Sequence, residues 1–151
     1  MSRIARNSRR MAGSMLALVG AAVMTAAATG AAAGQLTGVW KTSDGGYMEV
    51  FNCGQAVCGR ISPTLGDLAD KQRPDAKNKN PALRNRKIGG LQIMSGFVAD
   101  QGRWTGGKIY NPRDGNTYTG TLTLQADGNL LVKGCVVAPL CRTQTWSRVT
   151  P

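Results

Sequence analysis

The sequence predicts an all-β fold: a single antiparallel up-and-down eight-stranded barrel, with one long loop carrying a short helical turn. Three observations predict it. Segments of β-branched and aromatic residues show period-two alternation; clusters of Gly, Asp, Asn and Pro separate them; and eight such segments fit into about 115 residues. Short turns imply antiparallel neighbours, and a sheet closed on itself removes the edges that otherwise invite aggregation. An open sandwich of the same strands is the alternative architecture.

The chain has 151 residues, a net charge of +11, four Cys and no His. Its first segment reads as an address. Arg3, Arg6, Arg9 and Arg10 precede an uncharged stretch, Met11 to Ala28, and Ala31-Ala32-Ala33 supplies small residues for cleavage. Residues 1–33 are therefore expected to be a cleaved signal peptide, cut after Ala33 or alternatively Ala28, leaving a domain over 34–151 that is periplasmic or secreted. The Ala/Gly-rich stretch is too weakly apolar to favour a retained anchor. The first cysteine is Cys53, so no lipid acceptor stands at the new N-terminus. Losing four arginines and no acid takes the net charge from +11 to +7. With export, this points to anionic envelope components or solubility, and not to nucleic acid.

The strands are expected at 37–42, 47–53, 57–62, 91–98, 103–110, 116–125, 129–137 and 142–149. Asp44-Gly45-Gly46, Asp100-Gln101-Gly102, Pro112-Arg113-Asp114-Gly115 and Asp127-Gly128-Asn129 supply turn chemistry between them. Thr119, Thr121 and Thr123 alternate with Gly120, Leu122 and Leu124, giving that strand one hydroxyl face and one apolar face. Closure sets the first strand beside the last, where Arg148 can lie over Trp40, with Gly38 opening the first strand.

Residues 63–90 break the pattern with Pro63, Pro74, Pro81 and seven basic residues between Lys71 and Lys87. Asn80 before Pro81 predicts one short helical turn, and the rest reads as surface loop. Arg84, Arg86 and Lys87 are its candidate contacts to an acidic partner.

Four cysteines in an exported chain read as two disulfides with three possible connectivities. Loop entropy favours a long link, whereas strand geometry favours Cys53 with Cys58 and Cys135 with Cys141, and the local pairs are expected. A four-Cys zinc site lacks close C-x-x-C spacing.

The absence of His excludes a Ser-His-Asp triad, a Cys-His pair and a His-ligated metal. Gly102 to Lys108 matches the start of a phosphate-binding loop, but Ile109 replaces the metal-binding hydroxyl and a strand follows where a helix is required. Glu49 with Asp75 or Asp114 has no spacing that signals acid-base work. The expectation is a protein with no catalytic residue, no metal and no cofactor. Gln92, Trp104, Tyr110, Tyr118 and Gln144 are the candidate contacts to a small apolar or amphiphilic ligand, although the aromatics, with Trp146, also suit plain packing.

Read together, Gly38-Val-Trp40, Gly46-Tyr-Met-Glu-Val, Cys53-Gly-Gln-Ala-Val-Cys58-Gly-Arg-Ile, Asn80-Pro-Ala-Leu-Arg-Asn-Arg86, Gly90-Leu-Gln-Ile-Met, Trp104-Thr-Gly-Gly-Lys-Ile-Tyr-Asn-Pro112, Gly115-Asn-Thr-Tyr118 and Arg142-Thr-Gln-Thr-Trp-Ser-Arg148 resemble the DUF2147 family of exported bacterial proteins. The resemblance implies a lipocalin-like barrel and a typical Cys53/Cys58 pair, the second pair being less general. It carries no reaction and no ligand. Three functions follow as expectations: a non-catalytic holder of a small ligand; an interaction protein using the loop 71–87 against an acidic partner or anionic glycan; and, least favoured, an Asp/Glu enzyme.

Overall fold

The computed structural model describes residues 35–150; the expected signal peptide and its cleavage site lie outside them. Eight strands form one closed antiparallel barrel in sequence order: β1 (Gly38–Lys41), β2 (Tyr47–Cys53), β3 (Ala56–Ile61), β4 (Gln92–Asp100), β5 (Arg103–Asn111), β6 (Asn116–Leu124), β7 (Leu130–Val137) and β8 (Leu140–Arg148). Strand alternation works as the residue pattern demands. On β6, Gly120 and Leu122 are buried, while Thr119, Thr121 and Thr123 are more exposed.

Closure is short. β1 meets β8 at two pairs, Trp40 with Arg148 and Lys41 with Ser147. The Arg148 guanidinium lies 4.3 Å from the Trp40 ring centroid and donates to the carbonyls of Thr37 and Gln35. The Trp40 indole donates to the Leu36 carbonyl at 2.9 Å. These contacts hold the segment before β1 across one end of the barrel, where Leu36, Trp40, Phe97, Leu122 and Leu130 are all fully buried.

The Phe97 ring sits over a slot made by two glycines. Gly107 and Gly120 are cross-strand partners, and a Cβ on either would collide with that ring. Gly106 lies at φ 75°, where the register between β5 and β6 slips, so the glycines of the phosphate-loop-like stretch bend and pack a strand. Both disulfides are local: Cys53–Cys58 joins β2 to β3, and Cys135–Cys141 joins β7 to β8. Each bridges residues brought together by an antiparallel hairpin, so geometry prevails over loop entropy.

The excursion between β3 and β4 contains the expected turn, a 3₁₀ helix at Pro81–Leu83 capped by the Asn80 side chain. It also contains a five-residue helix, α1 (Leu68–Gln72), where sequence reading expects loop. The Asp67 carboxylate caps it by accepting from the backbone N–H groups of Ala69 and Asp70.

The excursion is anchored from below. Asp75, fully buried, accepts hydrogen bonds from the Tyr110 hydroxyl, Asn78 Nδ2 at 2.8 Å and Arg86 Nε at 2.9 Å. Burial alone would raise its pKa; the bonds from Tyr110, Asn78 and Arg86, with the Arg86 charge, outweigh burial and hold it below the ordinary aspartate value. Gly115, at φ 72° in the β5–β6 turn, has the Lys77 carbonyl directly over the place of its missing Cβ. The long loop is thus fixed against β5 and its following turn.

Candidate functional site

The end of the barrel opposite Leu36 and Trp40 is open. There the β1–β2 turn, the β3–β4 excursion, the β5–β6 turn and the β7–β8 tip surround a cavity of about 740 Å³. Its wall is legible in the register. Moving inward along the β7–β8 pair, Gly134 faces Arg142, Val132 faces Gln144, and Leu130 faces Trp146. Side chains thus grow larger and less polar with depth, ending at Leu130 and Trp146, which are buried.

Ile61, Ile93 and Ile109 line the facing walls. Gly59 pairs with Met94, whereas Arg60 pairs with Gln92. One step on β3 therefore matches two on β4, making Ile93 the extra residue of a bulge and giving it to the cavity. Because β1 ends at Lys41, Leu140 to Trp146 of β8 run beyond its pairing. Thr42 to Gly46 occupy that side of the opening.

The mouth combines apolar and charged groups. Val136 and Leu140 line it while remaining 70% and 67% exposed. Leu65 lines it from the excursion, across the barrel by strand order. Arg113 pairs with Asp44 at 2.9 Å, and the Lys71 ammonium donates to the Thr64 carbonyl at 3.0 Å. Asp114 accepts from the Tyr118 hydroxyl, the Asn116 backbone N–H at 2.8 Å and Asn111 Nδ2 at 2.8 Å. Burial would raise its pKa, but these bonds and the Arg142 charge lower it below the usual range. The bond to Asp114 in turn raises the Tyr118 pKa.

Three of the five sequence candidates for ligand contact line this cavity: Tyr110, Tyr118 and Gln144. The hydroxyls of both tyrosines already donate to carboxylates. Gln144 uses its carbonyl oxygen to accept from the Trp146 indole at 2.8 Å, leaving its amide N–H groups for other use. Gln92 and Trp104 are not part of it. Gln92 is exposed and pairs with Arg60, because the bulge at Ile93 turns the wall just beyond it. Trp104 belongs to the closed end, 4% exposed, with its indole N–H unpartnered among the described residues.

The basic loop also differs from expectation. Arg86 turns inward to Asp75, with a second contact at 2.9 Å, and Arg84 Nε donates to the Asn78 carbonyl at 2.8 Å. Lys87 stays exposed and bridges by its backbone to Pro74. Folding the long loop uses the two arginines that sequence alone assigns to a partner.

Residues that sequence reading does not single out, Ile61, Ile93, Val132, Gly134 and Arg142, supply much of the wall. Inward phase signals Ile61, Val132, Gly134 and Arg142, whereas Ile93 comes inward only through the bulge. Among the described residues, no three Cys, Asp or Glu side chains converge as metal ligands, and no helix is long and apolar enough to cross a membrane.

The barrel resembles protein HP1028 from the human pathogen Helicobacter pylori, a structure described as belonging to the lipocalin family. The TM-score is 0.68 at 25% sequence identity, over 76% of this chain and 83% of that one. No curated protein matches the chain. The family model described as "Uncharacterized protein conserved in bacteria (DUF2147)" matches residues 38–148. That match runs from the first residue of β1 to the last of β8, and the chain belongs to the DUF2147 family.

Proposed function

We propose that this protein is a non-catalytic binding protein that holds a small amphiphilic molecule in the open half of its barrel. The cavity carries the reading: at about 740 Å³ it falls within the roughly 300–1,000 Å³ typical of small-molecule sites, with an apolar floor and a few polar groups at the rim. The lipocalin-family neighbour supports it, since such barrels typically bind and do not catalyse. Asp75 and Asp114 have their oxygens engaged by neighbouring donors and serve as acceptors that shape the loops.

The site of action is outside the cytoplasm. Two disulfides fit an oxidising compartment, and the Arg-rich, then Ala-rich N-terminal segment fits an export signal.

The test is titration with N-phenyl-1-naphthylamine, whose fluorescence rises in apolar surroundings. The wild-type chain is expected to bind it saturably. In Gly134→Leu the new side chain enters the cavity between Tyr118 and Ile109, which lie 3.4 and 3.9 Å from the position of a Cβ, and binding is lost. Equal binding by a folded Gly134→Leu variant places the probe elsewhere and removes the reading.

A further inference from the structure

We infer that the molecule held in the barrel carries an anionic head group, and that Arg142 is the residue that selects it. The inference rests on the binding reading above and specifies the ligand class of the same cavity.

Arg142 stands on the inward phase of β8, directly across from Gly134. The glycine places no side chain before it, so the guanidinium has room over the cavity it lines. Most other charges that line the mouth are committed, Asp70 and Arg73 on the excursion excepted. Asp44 and Arg113 hold each other; Asp67 caps α1; the Lys71 ammonium is on a carbonyl; Asp114 accepts three hydrogen bonds, none from Arg142. Arg142 acts on Asp114 through space, and no ion pair or hydrogen bond engages its guanidinium among the described residues.

Donors also outnumber free acceptors along this wall. Below Arg142, the Gln144 carbonyl oxygen is taken by the Trp146 indole, so the side chain offers its amide N–H groups to an occupant. An arginine fork above an amide donor suits a group that only accepts, with oxygens able to take two parallel N–H bonds: a carboxylate, phosphate or sulfonate. The depth below is apolar, through Val132 and Ile109 to Trp146. Two residues of strand rise about 6.8 Å, so an alkyl chain that passes Val136 and Leu140 at the mouth runs down the wall while its head stays at Arg142. At Arg142 and Gln144 an ammonium head meets donors only, and a neutral hydroxyl accepts without the charge that strengthens the bond.

The experiment compares three ligands with one ten-carbon chain, decanoate, 1-decanol and decyltrimethylammonium, by calorimetry at pH 7.5, the two ions below their micellar concentrations and the alcohol below its solubility. Wild type is expected to bind decanoate about tenfold more tightly than 1-decanol, as charge-assisted bonds to one arginine allow. Decyltrimethylammonium is expected to bind weakest. Arg142→Gln should lose the preference for decanoate and keep its affinity for 1-decanol; Arg142→Lys should retain part of the preference. Equal binding of acid and alcohol by wild type, or an unchanged preference in Arg142→Gln, overturns the role of Arg142 and leaves the binding reading standing. Failure of all three ligands to bind overturns both.

Discussion

At the closed end of the barrel, Leu36, Trp40, Phe97, Leu122 and Leu130 lose all contact with solvent, whereas at the open end the same strands carry Ile, Val and Gly around empty space. The strands are continuous between the two. What differs is side-chain size at each inward position, and whether a segment of chain covers the opening. Leu36 and the bonds of Arg148 to Gln35 and Thr37 close one end. At the other end the excursion is held to the side, by Asp75 and by Lys77 against Gly115, and so frames the mouth. Stability is concentrated at the first end and capacity for a ligand at the second.

The largest expected effect breaks the closed end. Phe97→Ala removes a fully buried ring from over Gly107 and Gly120, neither of which can reach into the hole, and should cost about 3–5 kcal/mol in urea denaturation. If instead that loss is small, the slot is loosely packed and the contrast between the ends weakens.

A smaller effect tests the anchor between the ends. Asp75→Asn keeps the shape of the side chain but removes the charge that Arg86 meets at 2.9 Å, and should cost about 1–3 kcal/mol while loosening the excursion. The same group sets a pH dependence. Its pKa is lowered in the fold from the ordinary 3.8, so its stabilisation is fully present above that value. It is lost as pH falls below 3.8 through the native pKa. Thermal unfolding followed from pH 6 to pH 2 should therefore show wild type losing stability over that acid range and Asp75→Asn losing less. Parallel curves for the two would detach Asp75 from the anchor.

The smallest effect belongs to the mouth. Gly134→Leu adds an apolar side chain in ordinary contact with Tyr118 and Ile109, and its denaturation midpoint should shift by less than the equivalent of about 1 kcal/mol even as ligand capacity disappears. A large stability loss there would show that the open end is packed, and the two ends alike.

Much of this architecture is legible before any coordinate. The hydroxyl-apolar alternation of Thr119 to Leu124 specifies a half-buried strand because side chains of a strand point alternately to opposite faces. Cys53 and Cys58 flank a short connection, and antiparallel pairing brings them within bridging distance. Asn80 before Pro81 specifies a helix start by local hydrogen bonding alone. The miss at α1 is also local: Asp67 and Asp70 are the cap and first-turn acid of a helix, a weak signal within a Pro-rich, basic stretch.

The differences from expectation at the candidate site have another cause. Gln92 reads as a mouth residue until a bulge one position later assigns the inward place to Ile93. Trp104 and Tyr110 lie on one strand, yet only the closure of the barrel puts one in the packed end and the other beside the cavity. Arg84 and Arg86 read as free cations because nothing local shows that the loop folds back on Asp75.

The sequence by itself determined the strand number, the meander, the local pairing of the cysteines and the capped turn, all set by interactions between residues close along the chain. The tertiary structure alone decided which end is packed, which side chains share the cavity, and which of its charges are held by neighbours. Those outcomes depend on register, bulges and closure, which bring together residues distant in sequence and set Arg142 beside a glycine on the neighbouring strand at the barrel's open end.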